Sequence, residues 1–423
     1  MLSIIGDEMR KNSGVAGKFF QSLGKNGINI TAIAQGASEL NISAVIKYDD
    51  LVKAINVTHA TFFEIHINTI NLYIVGLGLI GGTLLKQIAE HADHLLQQNK
   101  IKINVIGITN SKKMLINDNG IDLTSWQDDF NQSTTVANLD GFINNMLNKK
   151  LPNSIFVDCT SNKDIVNYYF SILESGISIV TPNKIANSSS YNEYQKLKRL
   201  TSFHHGKFLY ETNVGAGLPV INTLQNLLNS GDQIIKVEGI LSGTLSYIFN
   251  NFTGDMKFSD IVKTAKEKGF TEPDPRDDLN GTDVARKILI LAREIGAKIE
   301  LEDIQKEELL PLSCKEAATI EEFFIELEKN NQFFEDKKIK AKQEGKVLRF
   351  IATYENGIAS IKLQAINSSH PFYNLSGSDN IISFTTNRYK ERPLVVQGPG
   401  AGAEVTASGL FAEIITLNSY FKS

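Results

Sequence analysis

One short segment, NLYIVGLGLIGG at residues 71–82, limits the folds open to this chain more than any other. Its glycines Gly76, Gly78 and Gly81 follow an apolar strand in G-x-G-x-x-G spacing and open a predicted helix. The first glycine allows a tight turn, the second lets the backbone approach a pyrophosphate, and the third permits close packing of helix on strand. A second apolar strand follows at residues 103–108. The segment predicts a parallel α/β sheet that binds a dinucleotide, with a purely structural glycine turn as the alternative.

The pattern of strands and helices divides the chain into three regions. Residues 69–207 alternate apolar strands with helices, which is typical of a parallel sheet buried on both faces. Residues 1–68 have the order strand, helix, strand, strand, helix of a small α+β module, and residues 208–391 mix strands with long helices. We predict an α/β protein in which a Rossmann-type domain at 69–207 is completed by residues 392–423, between a small α+β module and a larger α+β domain.

Composition excludes several classes of partner. The net charge of -4 gives no case for binding nucleic acid or an anionic membrane. Only two cysteines occur, Cys159 and Cys314, so a disulfide framework is not expected and a reducing compartment fits. The longest apolar stretch, Leu72 to Leu85, is broken by glycines and is too short to span a bilayer. We therefore expect a cytoplasmic protein with no nucleic-acid or membrane partner.

The loop after the second predicted strand, GITNSKK at residues 107–113, bears on the choice of nicotinamide. A carboxylate at this place would hold the ribose hydroxyls of NAD. The loop has none, and offers Ser111, Lys112 and Lys113 instead. These side chains favour the phosphate of NADP through charge-assisted contacts. Two solvated loop lysines, with NAD as the cofactor, are the alternative.

The segment GFTEPDPRDDLNGTDVARK at residues 269–287 carries five carboxylates. Like charges at this spacing repel one another unless a cation or polar ligand uses them. Glu272, Asp277 and Asp278 lie on the same short approach to the next helix and would suit a substrate that brings an amino group. A solvated, salt-bridged turn is the alternative.

The helix predicted to begin near Thr282 places Asp283 and Lys287 four residues apart, on one face. Its apolar spacing puts Lys287 at the border of the buried side, and Arg293 and Glu294 on the polar side. A surface ion pair would show the same pattern, so the period does not by itself establish a site.

The acidic segment resembles the signature of homoserine dehydrogenases, and the resemblance extends from Leu72 to the C-terminus. It rests also on the strings VDCTS, TPNK, ETNVGAGLPVI, LSGTLSYIFN and GPGAGAEVTA. Residues 1–68 are similar to the last ACT regulatory module of aspartokinase, so the chain resembles the C-terminal part of a bifunctional aspartokinase/homoserine dehydrogenase without its kinase domain. The resemblance implies reversible reduction of L-aspartate 4-semialdehyde to L-homoserine with NAD(P)H, in threonine and methionine biosynthesis. It also implies a homodimer or higher homo-oligomer, with residues 208–391 as the catalytic and dimerisation domain.

The resemblance implies roles for particular residues. Lys287 would be the proton donor, Asp283 would hold it in place, and Lys184 would be a second catalytic lysine. The substrate would be bound by Glu272, Asp278, Gly243 and Thr244. The cofactor would be bound by Gly76, Gly78, Leu79, Ile80, Gly81, Ser111, Lys112, Thr160, Lys184 and Gly402. Na⁺ or K⁺ would be bound by Glu211 and the carbonyls of Val214, Ala216 and Leu218. A solvated lysine, a helix-entry turn, a glycine turn or a helix cap is the structural alternative at these positions.

The N-terminal module suggests an amino-acid effector, because in the fused enzymes that the chain resembles the ACT region senses threonine or lysine. Gln35 and Asn41 flank the turn between two predicted strands and are the expected effector contacts. Since the kinase-side segment and a sister ACT unit are not in this sequence, we expect weak or absent feedback inhibition by threonine.

Two rival functions can be stated from the residues. An acylating semialdehyde dehydrogenase would need a cysteine nucleophile, and Cys159 ends a predicted strand near the cofactor side. A regulatory module could instead bind an amino acid and do no chemistry, although Glu272, Asp283 and Lys287 are all present. No transition metal is expected, because the histidines are not at ligand spacing; they are His59, His66, His91, His94, His204, His205 and His370.

Overall fold

The computed structural model of the chain forms two compact units. The first comprises Met1–Thr69 with Ala92–Lys102, and the second comprises Ile70–His91 with Ile103–Ser423. None of the helices within the described ranges combines the length and the apolar character needed to cross a bilayer. The residues that the structure describes are 1–6, 9, 11–36, 40–63, 67–203 and 206–421.

The first unit contains a three-stranded antiparallel sheet in the order β1-β3-β2. Phe19 and Leu23 lie on the apolar face of the first helix and are fully buried with Ala44 and Ala54. The predicted order of strands and helices in this module is confirmed; part of the predicted turn, residues 37–39, lies outside the described residues, as does His66. Its elements are β1 (Leu2–Ile5), α1 (Val15–Lys25), β2 (Ile30–Gln35), β3 (Asn41–Ile46) and α2 (Leu51–Phe63).

The Rossmann-type sheet has six strands in the order β6-β5-β4-β7-β8-β9. Strands β4, β7, β8 and β9 pair in parallel, and β6 is an antiparallel edge. β7 is buried along its whole length, as its continuous apolar run predicts. The elements are β4 (Asn68–Val75), α3 (Leu79–His94), β5 (Ile101–Thr109), β6 (Met114–Ile116), α4 (Trp126–Gln132), α5 (Leu139–Lys149), β7 (Ser154–Asp158), α6 (Tyr169–Glu174), β8 (Ser178–Val180), α7 (Ile185–Ser188), α8 (Tyr191–Phe203) and β9 (Phe208–Leu209).

A second six-stranded sheet, in the order β11-β13-β12-β10-β14-β15, forms the rest of the second unit. Helices α10, α13 and α16 pack on β12, and their apolar side chains share one core with the Rossmann-type sheet. The elements are α9 (Ile221–Asn229), β10 (Ile234–Ile240), α10 (Gly243–Asn251), α11 (Phe258–Glu267), α12 (Pro275–Leu279), α13 (Thr282–Glu294), β11 (Gln305–Lys306), α14 (Leu312–Glu316), α15 (Ile320–Lys329), α16 (Asn331–Gln343), β12 (Val347–Glu355), β13 (Ile358–Ile366), β14 (Asp379–Thr386), β15 (Leu394–Pro399) and α17 (Ala403–Phe421).

The last thirty residues are divided between the two sheets. Helix α17 packs on β8 of the Rossmann-type sheet, the domain to which the sequence analysis assigns this segment. Strand β15 departs from that expectation, because it pairs antiparallel with β14 from Leu394 to Pro399 and so becomes the edge of the second sheet.

Two charged residues of α13 do not lie where the helical period predicts. Arg293 is 3% exposed and pairs with Glu300 at 2.9 Å, and the Glu294 carboxylate is buried against Lys198 at 2.9 Å. Their partners come from other segments of the chain, and these pairings allow both charges to be buried on the side predicted to face water.

Candidate active site

A cleft of about 800 Å³ lies between the two sheets of the second unit. Segments far apart in the sequence meet there: the glycine turn, the ends of β7 and β8, the start of α10, the acidic segment and the turn before α17. The predicted site residues that line it are Ile80, Thr160, Lys184, Ala216, Gly243, Thr244, Glu272, Asp278, Asp283, Lys287 and Gly402.

One carboxylate in the cleft is shared by two lysines. Asp283 Oδ2 lies 2.7 Å from the Nζ of Lys287, and Asp283 Oδ1 lies 3.5 Å from the Nζ of Lys184. Lys287 is buried and also donates to the carbonyl oxygen of Leu241 at 2.6 Å. The helical spacing of four residues brings Asp283 to Lys287, while the turn after β8 delivers Lys184.

This arrangement fixes the charge of Asp283. Burial by itself would raise its pKa, but Lys287 and Lys184 outweigh that effect and hold the pKa well below the ordinary value. Burial lowers the pKa of Lys184, with Asp283 opposing the shift and the charge of Lys287 adding to it. The cleft therefore combines a stable carboxylate with a lysine that gives up its proton more readily than one in water.

Negative charge is concentrated on another wall of the cleft, which is formed by α12 and the loop before it. Asp278 accepts from the Thr244 hydroxyl and from the backbone N–H of Glu272, each at 2.8 Å, and burial raises its pKa. Arg276 pairs with Asp274 at 2.6 Å. Among the described residues no salt bridge reaches Glu272 or Asp278, so this wall can receive a cationic group from a ligand.

The start of α10 adds backbone donors beside these carboxylates. Ser242 caps the helix by accepting from Leu245 N–H at 3.2 Å, while the first amides, of Gly243 and Thr244, have no intrahelical acceptor. Gly243 and Thr244 also line the cleft.

The glycine turn fits a dinucleotide. A Cβ at Gly81 would lie 2.0 Å from the Gly76 carbonyl oxygen, and Gly76 has a φ of +92°, so both positions require glycine. A Cβ at Gly78 would meet nothing within 4 Å, and the side chain of Leu79 is 84% exposed. The third glycine therefore packs the helix onto the strand, whereas the second borders open space, as a site for a pyrophosphate requires.

The predicted phosphate loop stands apart from the cleft lining. Asn110 Oδ1 accepts from the backbone N–H of Lys112 and of Lys113, at 2.8 and 2.9 Å, and so shapes the turn after β5. The Lys113 ammonium donates to the Asn131 carbonyl at 2.6 Å, while Ser111 and Lys112 are exposed. Lys112 is thus the better placed of the two lysines to reach a ligand.

A buried polar network around Asp158, which the sequence analysis does not predict, supports the side of the cleft that carries Thr160 and Lys184. Asp158, at the end of β7, accepts from the Tyr169 hydroxyl, from Asn183 Nδ2 and from Thr160 N–H, at 2.7, 3.0 and 2.8 Å. Burial raises the pKa of Asp158 despite these bonds. The network joins the loops that carry Thr160 and Lys184. Its signal in the sequence is a polar residue at the end of each apolar strand, in VDCTS and TPNK.

The predicted cation segment fits a cation in part. Glu211 is 7% exposed, and its two carboxylate oxygens accept from the N–H groups of Ile221 and Asn222 at 2.6 and 2.8 Å. The carbonyl oxygens of Val214 and Ala216 receive no hydrogen bond from a described residue, whereas that of Leu218 accepts from Val220. Burial raises the pKa of Glu211, and no salt bridge between described residues reaches its carboxylate.

The expected effector contacts lie together in the first unit. Gln35 ends β2, Asn41 begins β3, and both side chains are exposed at the same end of the sheet.

Cys159, the nucleophile that an acylating semialdehyde dehydrogenase would need, lines the cleft. Burial, followed by the charge of Asp158, raises the pKa of the Cys159 thiol, so it is a poor nucleophile. Within the described ranges no group of three His, Cys, Asp or Glu side chains could hold a metal ion; His204 and His205 lie outside those ranges.

Comparisons with known proteins identify the family of the chain. Three family models match: Homoserine dehydrogenase over residues 219–415, the Homoserine dehydrogenase NAD binding domain over 76–211, and the ACT domain over 2–62. The chloroplastic bifunctional aspartokinase/homoserine dehydrogenase 2 of Arabidopsis thaliana is 47% identical over 423 residues, which cover 99% of this chain and 46% of that protein. The chain thus spans about half the length of such relatives.

A shorter relative and a solved structure cover the dehydrogenase part. Homoserine dehydrogenase of Schizosaccharomyces pombe is 42% identical over 364 residues, covering 84% of this chain and 96% of that protein. A hyperthermophilic archaeal homoserine dehydrogenase in complex with NADPH is 25% identical, with a TM-score of 0.62 over 82% of this chain and 97% of that one. Since nearly the whole of the shorter relative is matched, the chain belongs to the homoserine dehydrogenase family, with an ACT domain ahead of its NAD-binding domain.

Proposed function

We propose that this chain catalyses the reversible reduction of L-aspartate 4-semialdehyde to L-homoserine, with NADPH as the preferred cofactor and Lys287 as the proton donor. The observation that carries the proposal is the pairing of Lys287 and Lys184 with one carboxylate, Asp283, in a cleft whose other wall holds Glu272 and Asp278. An amino-acid aldehyde brings the groups that these two walls lack: an ammonium for the carboxylates, and a carbonyl oxygen for the lysines.

Lys287 supplies the proton. During reduction, negative charge grows on the aldehyde oxygen, and a positioned ammonium both stabilises that charge and protonates it. An ammonium has three donors; that of Lys287 uses one on Asp283 and one on Leu241, which leaves one for the substrate. A bound nicotinamide supplies the hydride.

Lys184 and Asp283 support that step. Asp283 keeps the Lys287 ammonium in position and stays ionised because two lysines lower its pKa. Lys184 adds a second positive charge on the same side of the cleft, and its lowered pKa makes it the alternative donor.

The amino-acid end of the substrate is bound by α10 and the acidic segment. Glu272 and Asp278 bind the ammonium of the substrate. The backbone N–H groups of Gly243 and Thr244, at the start of α10, donate to acceptor atoms of the amino acid. The carboxylates of the acidic segment would thereby gain the positive charge that the protein itself does not provide.

NADPH is preferred over NADH through Ser111 and Lys112, which are exposed after β5 where no carboxylate competes for the ribose. Na⁺ or K⁺ is bound by Glu211 with the carbonyls of Val214, Ala216 and Leu218, in a segment whose Ala216 also lines the cleft.

The reaction can be tested by following a labelled hydride. The chain is mixed with L-aspartate 4-semialdehyde and NADPH that carries two deuterium atoms at C4 of the nicotinamide, and the product is analysed by mass spectrometry. The proposal predicts L-homoserine with one deuterium, and unchanged activity in Cys159→Ser. Unconsumed NADPH in both the intact chain and this variant, or loss of activity on changing Cys159, would contradict it and favour one of the two rivals.

A further inference from the structure

Two buried carboxyl groups meet at the start of the segment Glu211–Leu218. Glu413 of α17 is 6% exposed, and its Oε1 accepts from the backbone N–H of Glu211 at 2.7 Å. Its Oε2 is buried and has no hydrogen-bond donor among the described residues. Glu211 and Glu413 also border the same cavity, of about 200 Å³.

Among the described residues, neither carboxylate forms an ion pair with a cationic side chain. No salt bridge between described residues involves Glu211 or Glu413, although two lysines border the same cavity. Lys198 pairs instead with Glu294 at 2.9 Å, and Lys207 lies over the ring of Tyr420 with its Nζ 5.3 Å from the centroid. A buried carboxylate is stable when it is paired or bound to a metal ion, and otherwise it takes up a proton. Burial raises the pKa of Glu413 well above its ordinary value, so the pair has room for one positive charge, as a proton or as a bound cation.

The two carboxyl groups differ in the number of backbone N–H groups that donate to them. Glu211 accepts from two amides at the start of α9, where the helix dipole also favours a negative charge. Glu413 accepts one hydrogen bond and presents an unpartnered oxygen. Oxygen ligands of this kind suit a hard cation, and an unpartnered carboxylate oxygen lies beside the residue already assigned to Na⁺ or K⁺.

We propose that Glu413 is a second carboxylate of the monovalent-cation site at Glu211. The inference rests on the cation site of the proposed function and extends it to the C-terminal helix. Through Glu413, a bound cation would tie α17 to the loop that follows Glu211. This loop and α17 already pack closely, as Gly217 shows: a Cβ there would lie 2.4 Å from the Val405 carbonyl oxygen.

The test measures cation binding without measuring activity. Melting temperature is followed while Na⁺ or K⁺ replaces N-methyl-D-glucammonium at constant ionic strength, for the intact chain and for Glu211→Gln, Glu413→Gln and Glu413→Asp. Glu328→Gln, an exposed glutamate of α15, is the matched control. Glutamine keeps one oxygen to accept from Glu211 N–H, while an NH₂ group replaces the other oxygen and the negative charge is lost.

We expect Glu413→Gln to raise the apparent Kd for the cation about tenfold or more, the size of effect seen when groups supporting a metal site are removed. Glu413→Asp should retain cation-dependent melting, Glu211→Gln should lose it, and Glu328→Gln should match the intact chain. Equal cation dependence in Glu413→Gln and the intact chain would overturn the inference and leave the site at Glu211 in place. Loss in Glu413→Asp as large as in Glu413→Gln would also overturn it, by making packing rather than charge the cause.

Failure of the proposed function gives a different result. If the intact chain shows no cation-specific shift, the cation site is rejected together with the role of Glu413. Reduction of L-aspartate 4-semialdehyde in N-methyl-D-glucammonium buffer then decides the dehydrogenase activity separately.

Discussion

Asp283 is the residue on which the chemistry of the cleft depends, because both lysine ammoniums contact it. We predict that Asp283→Asn lowers kcat by about 100-fold or more, within the range ascribed to positioned acid–base groups, while binding of NADPH is retained. The amide still accepts a hydrogen bond but no longer neutralises Lys287 and Lys184. Steady-state kinetics with a cofactor titration checks this, and a variant with an unchanged kcat would remove Asp283 from the mechanism.

The same carboxylate makes a prediction about acid stability. Its pKa is lowered in the folded chain, so its ion pairs stabilise the fold above the unfolded-state pKa of about 3.9. That contribution is lost as the pH falls through the lower, folded-state value. Melting temperature should therefore fall less steeply below about pH 4 in Asp283→Asn than in the intact chain. Parallel curves would show that the lysines do not stabilise the ionised form.

Cofactor choice gives a residue-scale prediction with a built-in control. Lys112→Ala should raise KM for NADPH about tenfold, the loss expected for a charge-assisted contact, and leave KM for NADH unchanged. Lys113→Ala should change neither, because its ammonium is held by the Asn131 carbonyl. An equal rise in KM for NADPH and for NADH in Lys112→Ala would contradict the proposal.

At the residue scale, the sequence predicts which residues line the cleft better than it predicts the partners that surround them. Helical spacing predicts that Lys287 lies at the border of the buried side of its helix, and the residue is buried. The same spacing predicts that Arg293 and Glu294 face water, which is wrong, because only the fold brings them their partners Glu300 and Lys198. The network around Asp158 was missed for the same reason.

At the scale of elements, the turn between β4 and α3 separates a structural glycine from a binding glycine. We predict that Gly81→Ala lowers the free energy of unfolding by about 1–3 kcal/mol, because the added methyl meets the Gly76 carbonyl at 2.0 Å. Gly78→Ala should unfold like the intact chain and bind NADPH at least tenfold more weakly, since its methyl would occupy the space beside a pyrophosphate. Denaturant unfolding and cofactor titration of both variants check this; the reverse pattern would contradict the assignment of the turn.

Apolar runs and turns were enough to predict most elements, because strands buried on both faces and helices with one apolar face leave distinct patterns. Strand β15 shows the limit of that reading. Its residues look like any short strand, and only pairing with β14 determines which sheet receives it. Sequence pattern carries no information about such a choice between two edges.

At the scale of the whole chain, the ACT domain raises the question of an effector. Strand β2 is exposed along most of its length, and the expected contacts Gln35 and Asn41 are exposed as well. Ligand sites normally bury most of the ligand, so an amino acid on this open surface would be held weakly. We predict weak or absent inhibition by L-threonine in an NADPH oxidation assay. Saturable inhibition at micromolar threonine, removed by Gln35→Ala, would contradict this.

The resemblance to bifunctional enzymes leaves two expectations about the whole protein as predictions. These are a homodimer built on residues 208–391 and a cytoplasmic location, although the relatives from Arabidopsis thaliana and Zea mays are chloroplastic. Sedimentation of the purified chain would test the first directly.

The most direct test of the central claim is NADPH absorbance after L-aspartate 4-semialdehyde is added to the intact chain and to folded Lys287→Ala, side by side. We predict rapid oxidation by the intact chain and a rate lower by about 10²–10⁴-fold in the variant, the range for loss of a general acid. A variant that keeps most of its rate would transfer the role of proton donor to Lys184. Absence of oxidation in both would contradict the assignment of this cleft to homoserine dehydrogenase activity.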